Sequence, residues 1–282
     1  VIMSFKNYTL EDWVKGILAH PVTKETIQLK AIASKGKIPD ATVFLKNTKG
    51  WFEWVEGQSQ FERWLRKGEY KSYKKTKYRN EKQAMEKLYK KLSLKGVILD
   101  VGGSVGTLRE FLKPNTKYLS LDPDSDPLKS INKEKKEVYN CLKYPLNFIR
   151  GCAEFLPLKS MSVDTVHMRS MLDHVQIPDL AILEAHRVLK QSGNLIIGIY
   201  LPSGKSTKTI FSVYCKEVLR ACLVTIGFKS FQDHHTWHPS YNGLVKLLFD
   251  NGFKIYKEVW QEGWDDKVLY LTAKKKLINY LK

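Results

Sequence analysis

A chain of 282 residues with 43% hydrophobic, 12% aromatic and 27% charged residues holds enough apolar material for one or two packed domains, and this excludes disordered and collagen-like classes. Its longest apolar runs, such as Asn194 to Leu201, are strand-length, far short of the roughly 20 residues of a membrane helix. The formal net charge of +18 points to anionic partners, but 39 of the 47 basic residues are lysine, and arginine is the residue suited to bidentate phosphate contacts.

The opening stretch VIMSFKNYTLEDWVKG carries charges where a secretory apolar run would lie, so the expectation is a cytoplasmic protein. Cys141, Cys152, Cys215 and Cys222 lack C-x-x-C spacing, so reduced thiols are expected. Within residues 1–60, short alternating segments (Thr26 to Ala31, Ala41 to Leu45, Trp51 to Val55) are separated by Gly36, Pro39 and Gly50, which predicts a small β-containing module. Residues 61–92 read as a basic helical linker with Phe61, Trp64 and Leu65 on one face. Residues 63–95 hold 13 Lys or Arg against 3 Glu, with Tyr70, Tyr73, Tyr78 and Tyr89 interleaved. Such a segment can bind single-stranded nucleic acid by charge and stacking, serve an anionic small substrate, or simply be a solvated helix.

From residue 93 to 282, strand-like runs at 97–101, 118–122, 164–168 and 195–200 alternate with helix-like stretches, which argues for a parallel sheet. The runs at 253–260 and 267–273 are joined too closely for a crossover helix and must be antiparallel. An insertion at 203–245 includes a helix-like stretch, Lys205 to Gly227, suited to a lid, a dimer face or a core helix.

VILDVGGSVGTLREFL, residues 97–112, reads as a buried strand, a glycine turn and an amphipathic helix, whose first N–H groups would face an electron-rich ligand. Asp122 ends the next strand, twenty residues beyond Gly102, where a carboxylate can accept both hydroxyls of a ribose. The dinucleotide register would need glycines where Gly102, Ser104 and Thr107 stand, and no Gly-Lys-Ser/Thr follows, so NAD and ATP fit poorly.

On these residues the chain resembles the class I S-adenosylmethionine-dependent methyltransferases, whose first motif is a strand-end acid and G-x-G-x-G, here Asp100, Val101, Gly102, Gly103, Ser104, Val105, Gly106. GCAEFLPLKSMSVDTVHMRSMLDHV (151–175) and LEAHRVLKQSGNLIIGIY (183–200) are similar to that family's later motifs in the same order, and the likeness covers roughly residues 93–275. It implies an α/β fold with a mostly parallel seven-stranded Rossmann-like sheet, an antiparallel strand near its C-terminus, and S-adenosylmethionine as cofactor. It implies cofactor contacts from Asp100, Gly102, Gly103, Ser104, Gly106, Asp122 and Pro123, and from Cys152, Ala153 and Glu154; Arg169 and Ser170, at the end of the fourth strand, are expected to line the cofactor or substrate cleft, with a structural ion pair as the alternative for Arg169. GILAHPVTKETIQL (16–29) faintly resembles zinc-ribbon activator proteins of methyltransferases, with His20-Pro21 where those have Cys-Pro, so a degenerate, metal-free version is expected.

Asp173 and His174 follow the fourth strand at the ligand-binding edge of the sheet, and His174 can take a hydroxyl proton, cap a local helix or pack on the cofactor. FQDHHTWHPSY (231–241) crowds Asp233, His234, His235 and His238 together; it can face substrate as a base, hold a divalent ion, or form an ordinary turn. The catalytic candidates are His174, His238, His235 and Asp173, and no residue is assigned as a metal ligand. The expected activity is methyl transfer to a small, anionic or saccharide-like acceptor at oxygen. The alternatives are RNA methylation using the basic 63–95 segment, against which no Asn/Asp-Pro-Pro-Tyr/Phe motif occurs, and a non-catalytic cofactor-binding scaffold.

Overall fold

The computed structural model describes residues 8–27, 33–35, 38–67, 73–124, 126–201, 235–262 and 267–276, with a few single positions between 215 and 226. Its centre is a run of parallel strands: β4 (Val97–Val101), β5 (Lys117–Asp122), β6 (Leu146–Arg150), β7 (Val163–Arg169) and β8 (Leu189–Tyr200). They lie in the order β6-β5-β4-β7-β8, followed by β10 (Val268–Lys275) and then β9 (Phe253–Trp260). β10 runs antiparallel to both β8 and β9, as the short 261–266 connection requires. These seven strands form the expected mostly parallel Rossmann-like sheet. β6, bounded by Pro145 and Gly151, is not among the strand runs expected from the sequence.

The parallel strands are buried on both faces, so they read as nearly continuous apolar runs. On one face Ile98, Tyr118, Phe148, Ile196 and Tyr270 pack against Met85, Leu88 and Tyr89 of α3 (Lys75–Lys90). On the other, Leu99, Leu121, Val166, Met168 and Ile197 meet α5 (Pro178–Val188) and the last described helix, here α6 (Tyr241–Asp250). Leu99 and Ile98 are fully buried on opposite faces, the alternation a strand imposes.

The described parts of residues 1–60 are built onto this core. β1 (Tyr8–Thr9) and β3 (Ile38–Asp40) both pair parallel with the outer edge of β6, and β2 (Ala33–Lys35) pairs with β3. They cover an edge that would otherwise offer unpaired backbone groups. α1 (Asp12–Ile17) buries Val14, and the following Leu18 bridges to Leu158. The turn after it, inside the stretch likened to a zinc ribbon, uses the His20 imidazole as an acceptor for the Val22 and Thr23 amides.

Three local expectations are corrected. Trp51 to Val55 is helix, not strand, inside α2 (Lys49–Lys67): Trp51, Trp54 and Val55 stand at i, i+3 and i+4, a helical spacing. Ala41 to Leu45 lies outside any strand, held by Ala41 N–H donating to the Arg150 carbonyl. The amphipathic helix after the glycine loop is only a 3-10 turn, Thr107–Phe111, because seven residues separate Gly106 from Pro114 and Asn115 then takes positive φ. Leu108 and Phe111 are packed against α3, which supplies cover on that face. Side chains of 61–67, and most of the 203–234 insertion with Asp233 and His234, lie outside the described residues.

Candidate active site

The carboxyl ends of β4, β5 and β7 meet in one place, where open α/β sheets hold ligands. The glycine loop leaves β4 there. Gly102 has φ +69°, and a Cβ on it would fall 2.5 Å from the Met171 Cβ; one on Gly103 would fall 2.5 Å from Ser120 Oγ. Only glycine lets the backbone pass these two points.

Most amides of the loop are already engaged. Gly102 N–H donates to the Leu121 carbonyl at 2.8 Å, Gly106 N–H to the Gly103 carbonyl at 2.8 Å, and Ser104 N–H to Asp122 Oδ2 at 3.1 Å. Without a helix behind it and with these amides engaged, the loop offers a ligand a close backbone surface rather than an anion-binding terminus. Ser104, at φ 45°, holds the left-handed turn that glycine occupies in the family motif.

Asp122 closes β5 beside the glycine loop. Its Oδ1 accepts from the Asp124 amide at 2.9 Å and Oδ2 from Ser104. A carboxylate has about four acceptor positions, so about two remain for a pair of hydroxyls. Burial pushes its carboxyl up to about 6, the mark of an anion with too few donors around it. Pro123, next in the chain, gives its carbonyl to Arg150 Nε at 2.9 Å. These features fit an adenosyl ligand.

Several expected contacts turn inward instead. Asp100 is buried and spends both oxygens on the core, Oδ2 accepting from Tyr118 OH at 2.6 Å and Oδ1 lying 2.7 Å from His167 Nδ1. It anchors the loop from below. Glu154 is buried, and its Oε1 accepts from Gln176 N–H at 2.6 Å and Ile177 N–H at 3.3 Å, so it clamps the turn after β7. Cys152 and Ala153 are buried beside it, and burial pushes the Cys152 thiol up to about 12. Arg169 points to the α3 face, 3.8 Å from Glu81 and close to Tyr89, Tyr139 and Tyr270. Ser170, at φ 48°, donates its N–H to the Gly198 carbonyl at 2.7 Å and turns the chain toward Met171.

Three of the four catalytic candidates converge. A 3-10 turn, Leu172–His174, buries Leu172 and Asp173 and leaves His174 half-buried. Thr236 docks on this turn, its N–H donating to the Asp173 carbonyl at 2.8 Å and its hydroxyl reaching the Asp173 and Val175 carbonyls. That brings His235 Nε2 to 3.6 Å from Asp173 Oδ2, while His174 Nε2 lies 3.9 Å from Oδ1. The rings of His174 and His235 are 4.6 Å apart, and the exposed His238 is 5.7 Å beyond His235.

A wall missed in the sequence stands against the same turn. Leu45 N–H donates to Gln176 Oε1 at 3.0 Å, and Gly50 sits so close that a Cβ there would be 2.0 Å from the Gln176 carbonyl. Phe44, Trp51 and Trp54 are held by these contacts, with Trp51 and Trp54 stacked at 5.5 Å. The basic segment, by contrast, has buried Tyr78 and Tyr89 and ties Lys75 to Glu137 and Lys82 to Glu110. Those two tyrosines are not available to stack on bases.

A family model described as a methyltransferase domain matches residues 99–197, the span from β4 through β8 that carries the glycine loop and Asp122. The ubiquinone/menaquinone biosynthesis C-methyltransferase UbiE of Blochmanniella pennsylvanica (strain BPEN) is 26% identical over 166 residues, 56% of this chain; the chain spans 65% of that relative's length. Among solved structures, the Burkholderia thailandensis 1,6-didemethyltoxoflavin-N1-methyltransferase with bound 1,6-didemethyltoxoflavin and S-adenosylhomocysteine shares the fold at a TM-score of 0.53, 15% identity, 84% of this chain and 94% of that one. A chain from the complex of the Haloferax volcanii Trm112 methyltransferase activator with a methyltransferase does so at 0.50, 14% identity, 77% and 97%. Residues 99–197 thus match a methyltransferase domain, and the sheet order around them is that of the class I S-adenosylmethionine-dependent methyltransferase fold.

Proposed function

We propose that this chain transfers a methyl group from S-adenosylmethionine to an oxygen of a small-molecule acceptor with a flat or saccharide-like face. The observation that carries the reading is the cluster of Asp173, His174 and His235 joined to the glycine loop through Met171, whose side chain abuts Gly102. Imidazole titrates near neutral pH and suits removal of a hydroxyl proton. The cofactor supplies a sulfonium-bound methyl group. When bound, the cofactor would present that methyl to the acceptor oxygen and keep the sulfur as leaving group, while a nearby imidazole would take the hydroxyl proton. Phe44, Trp51 and Trp54 supply faces on which a ring can stack, a small-acceptor arrangement. The named relatives act on carbon in one case and nitrogen in the other, so oxygen is argued here from the histidines alone.

The test is methyl-labelled cofactor offered to separate pools of hydroxylated small molecules, glycosides and RNA. Label is expected in a hydroxyl-bearing pool and to be lost in His235→Ala, with S-adenosylhomocysteine binding retained. Label in RNA alone would replace this reading with the nucleic-acid one. No label in any pool, despite tight cofactor binding, would favour a scaffold.

A further inference from the structure

Asp173 presents a problem that the methyl-transfer reading leaves unsolved. Its side chain is 8% exposed, and its Oδ1 is buried without a hydrogen-bond donor. Buried carboxylates are paired, hydrogen-bonded or bound to metal, because an isolated anion in a low-dielectric interior is costly. His174 Nε2, 3.9 Å from Oδ1, and His235 Nε2, 3.6 Å from Oδ2, stand too far off for hydrogen bonds to the carboxylate.

The spacing is instead that of ligands around an ion. One nitrogen of each histidine and one oxygen of Asp173 lie within 4.8 Å of one another, and this is the one such grouping among the described residues. Around a tetrahedral ion with bonds of about 2.0–2.2 Å, neighbouring ligand atoms are about 3.4 Å apart, so the three atoms need to draw in by at most about 1.4 Å. Side-chain rotation supplies that, since both imidazoles are 30% exposed and only the carboxylate is enclosed. The turn and the loop that carry them are already locked together by Thr236.

We propose that Asp173, His174 and His235 bind a divalent transition-metal ion. Two imidazoles and one carboxylate suit zinc, cobalt, nickel or ferrous iron better than magnesium or calcium, which prefer all-oxygen shells. Three protein ligands leave at least one position open, as in catalytic rather than structural sites. That position takes an oxygen donor, and resting on the methyl-transfer reading, the donor is the acceptor's hydroxyl. An ion there lowers the pKa of the bound hydroxyl, so the proton leaves to solvent or to a nearby imidazole such as His238 and the oxygen is left as a nucleophile.

The test uses the full chain, stripped with a chelator and dialysed, then titrated with cobalt(II) chloride and, separately, zinc chloride. Expected are one equivalent bound by calorimetry and visible d–d bands for cobalt. Affinity should fall at least tenfold in each of Asp173→Asn, His174→Ala and His235→Ala and stay unchanged in His20→Ala. S-adenosylhomocysteine should still raise the Tm of every variant, which shows that they fold. No stoichiometric binding, or binding that the three substitutions leave intact, overturns the metal site. Methyl transfer that proceeds in chelated protein overturns the ion's role in activating the hydroxyl. If metal binds as described and no acceptor is ever methylated, the site stands and the methyl-transfer reading fails.

Discussion

At the scale of single residues, Asp122, if it accepts the ribose as proposed here, would couple cofactor binding to pH. Burial holds its carboxyl at about 6 in the folded chain against an ordinary 3.8. Between these values the folded state keeps a proton that the unfolded chain has released. Its contribution to stability is therefore full below pH 4 and lost as pH rises through 6. Ligand binding runs the opposite way, because ribose hydroxyls donate to the ionised form. S-adenosylhomocysteine affinity should accordingly rise from pH 5 to 7 and level off above it. Asp122→Ala should weaken binding by about tenfold, or about 1.4 kcal/mol, and abolish that pH dependence. Calorimetric titrations at pH 5, 6 and 7 check this; a slope retained in the variant would move the ribose away from Asp122.

The same scale shows what could be read in advance. The strand end at Asp122 and the turn at Gly102 and Gly103 were legible in position, because a close backbone approach leaves room for glycine alone. Asp100 and Glu154 were not, because a carboxylate that grips a ligand and one that grips the core are the same letter. Only the partners distinguish them: Tyr118 and His167 for Asp100, and the Gln176 and Ile177 amides for Glu154.

At the scale of elements, the buried strands other than β6 announced themselves through apolar runs, and the helix after the glycine loop did not survive because chain length, not pattern, decides whether a helix fits. The amino-terminal elements were the least legible. Their pairing with β6 and their seat on the Gln176 turn are contacts distant in sequence, which local spacing cannot reveal. Gly50 makes this seat testable. Its α-carbon approaches the Gln176 carbonyl so closely that Gly50→Ala must push the start of α2 off the turn, at a cost of about 1–3 kcal/mol. Gly16, inside α1 with open space where its Cβ would go, is the matched control. Gly16→Ala should be neutral or stabilise by about 0.5–1 kcal/mol, since alanine is the better helix former. Urea unfolding of both variants separates a close contact from a general intolerance of methyl groups in this segment.

At the scale of the whole molecule, ligand linkage tests the fold's central commitment. Sheet order, glycine loop and Asp122 converge on an adenosine bearing one ribose at this edge, and the loop's engaged amides offer little to a pyrophosphate. A ligand that binds only the folded state adds RT ln(1 + [L]/Kd), about 2.7 kcal/mol at a hundredfold excess over Kd. For a chain of this size each kcal/mol raises Tm by about 2–4 °C, so S-adenosylhomocysteine at that excess should raise it by about 5–10 °C. NAD presents its ribose through a pyrophosphate that this loop cannot cradle, and at the same concentration it should leave Tm unchanged. Differential scanning with both ligands, at pH 7 where Asp122 is ionised, decides the matter. A shift with NAD equal to that with S-adenosylhomocysteine would mean that the loop reads only the adenosine. The methyl-donor end would then be recognised elsewhere, and the histidines around Asp173 would be the first place to look.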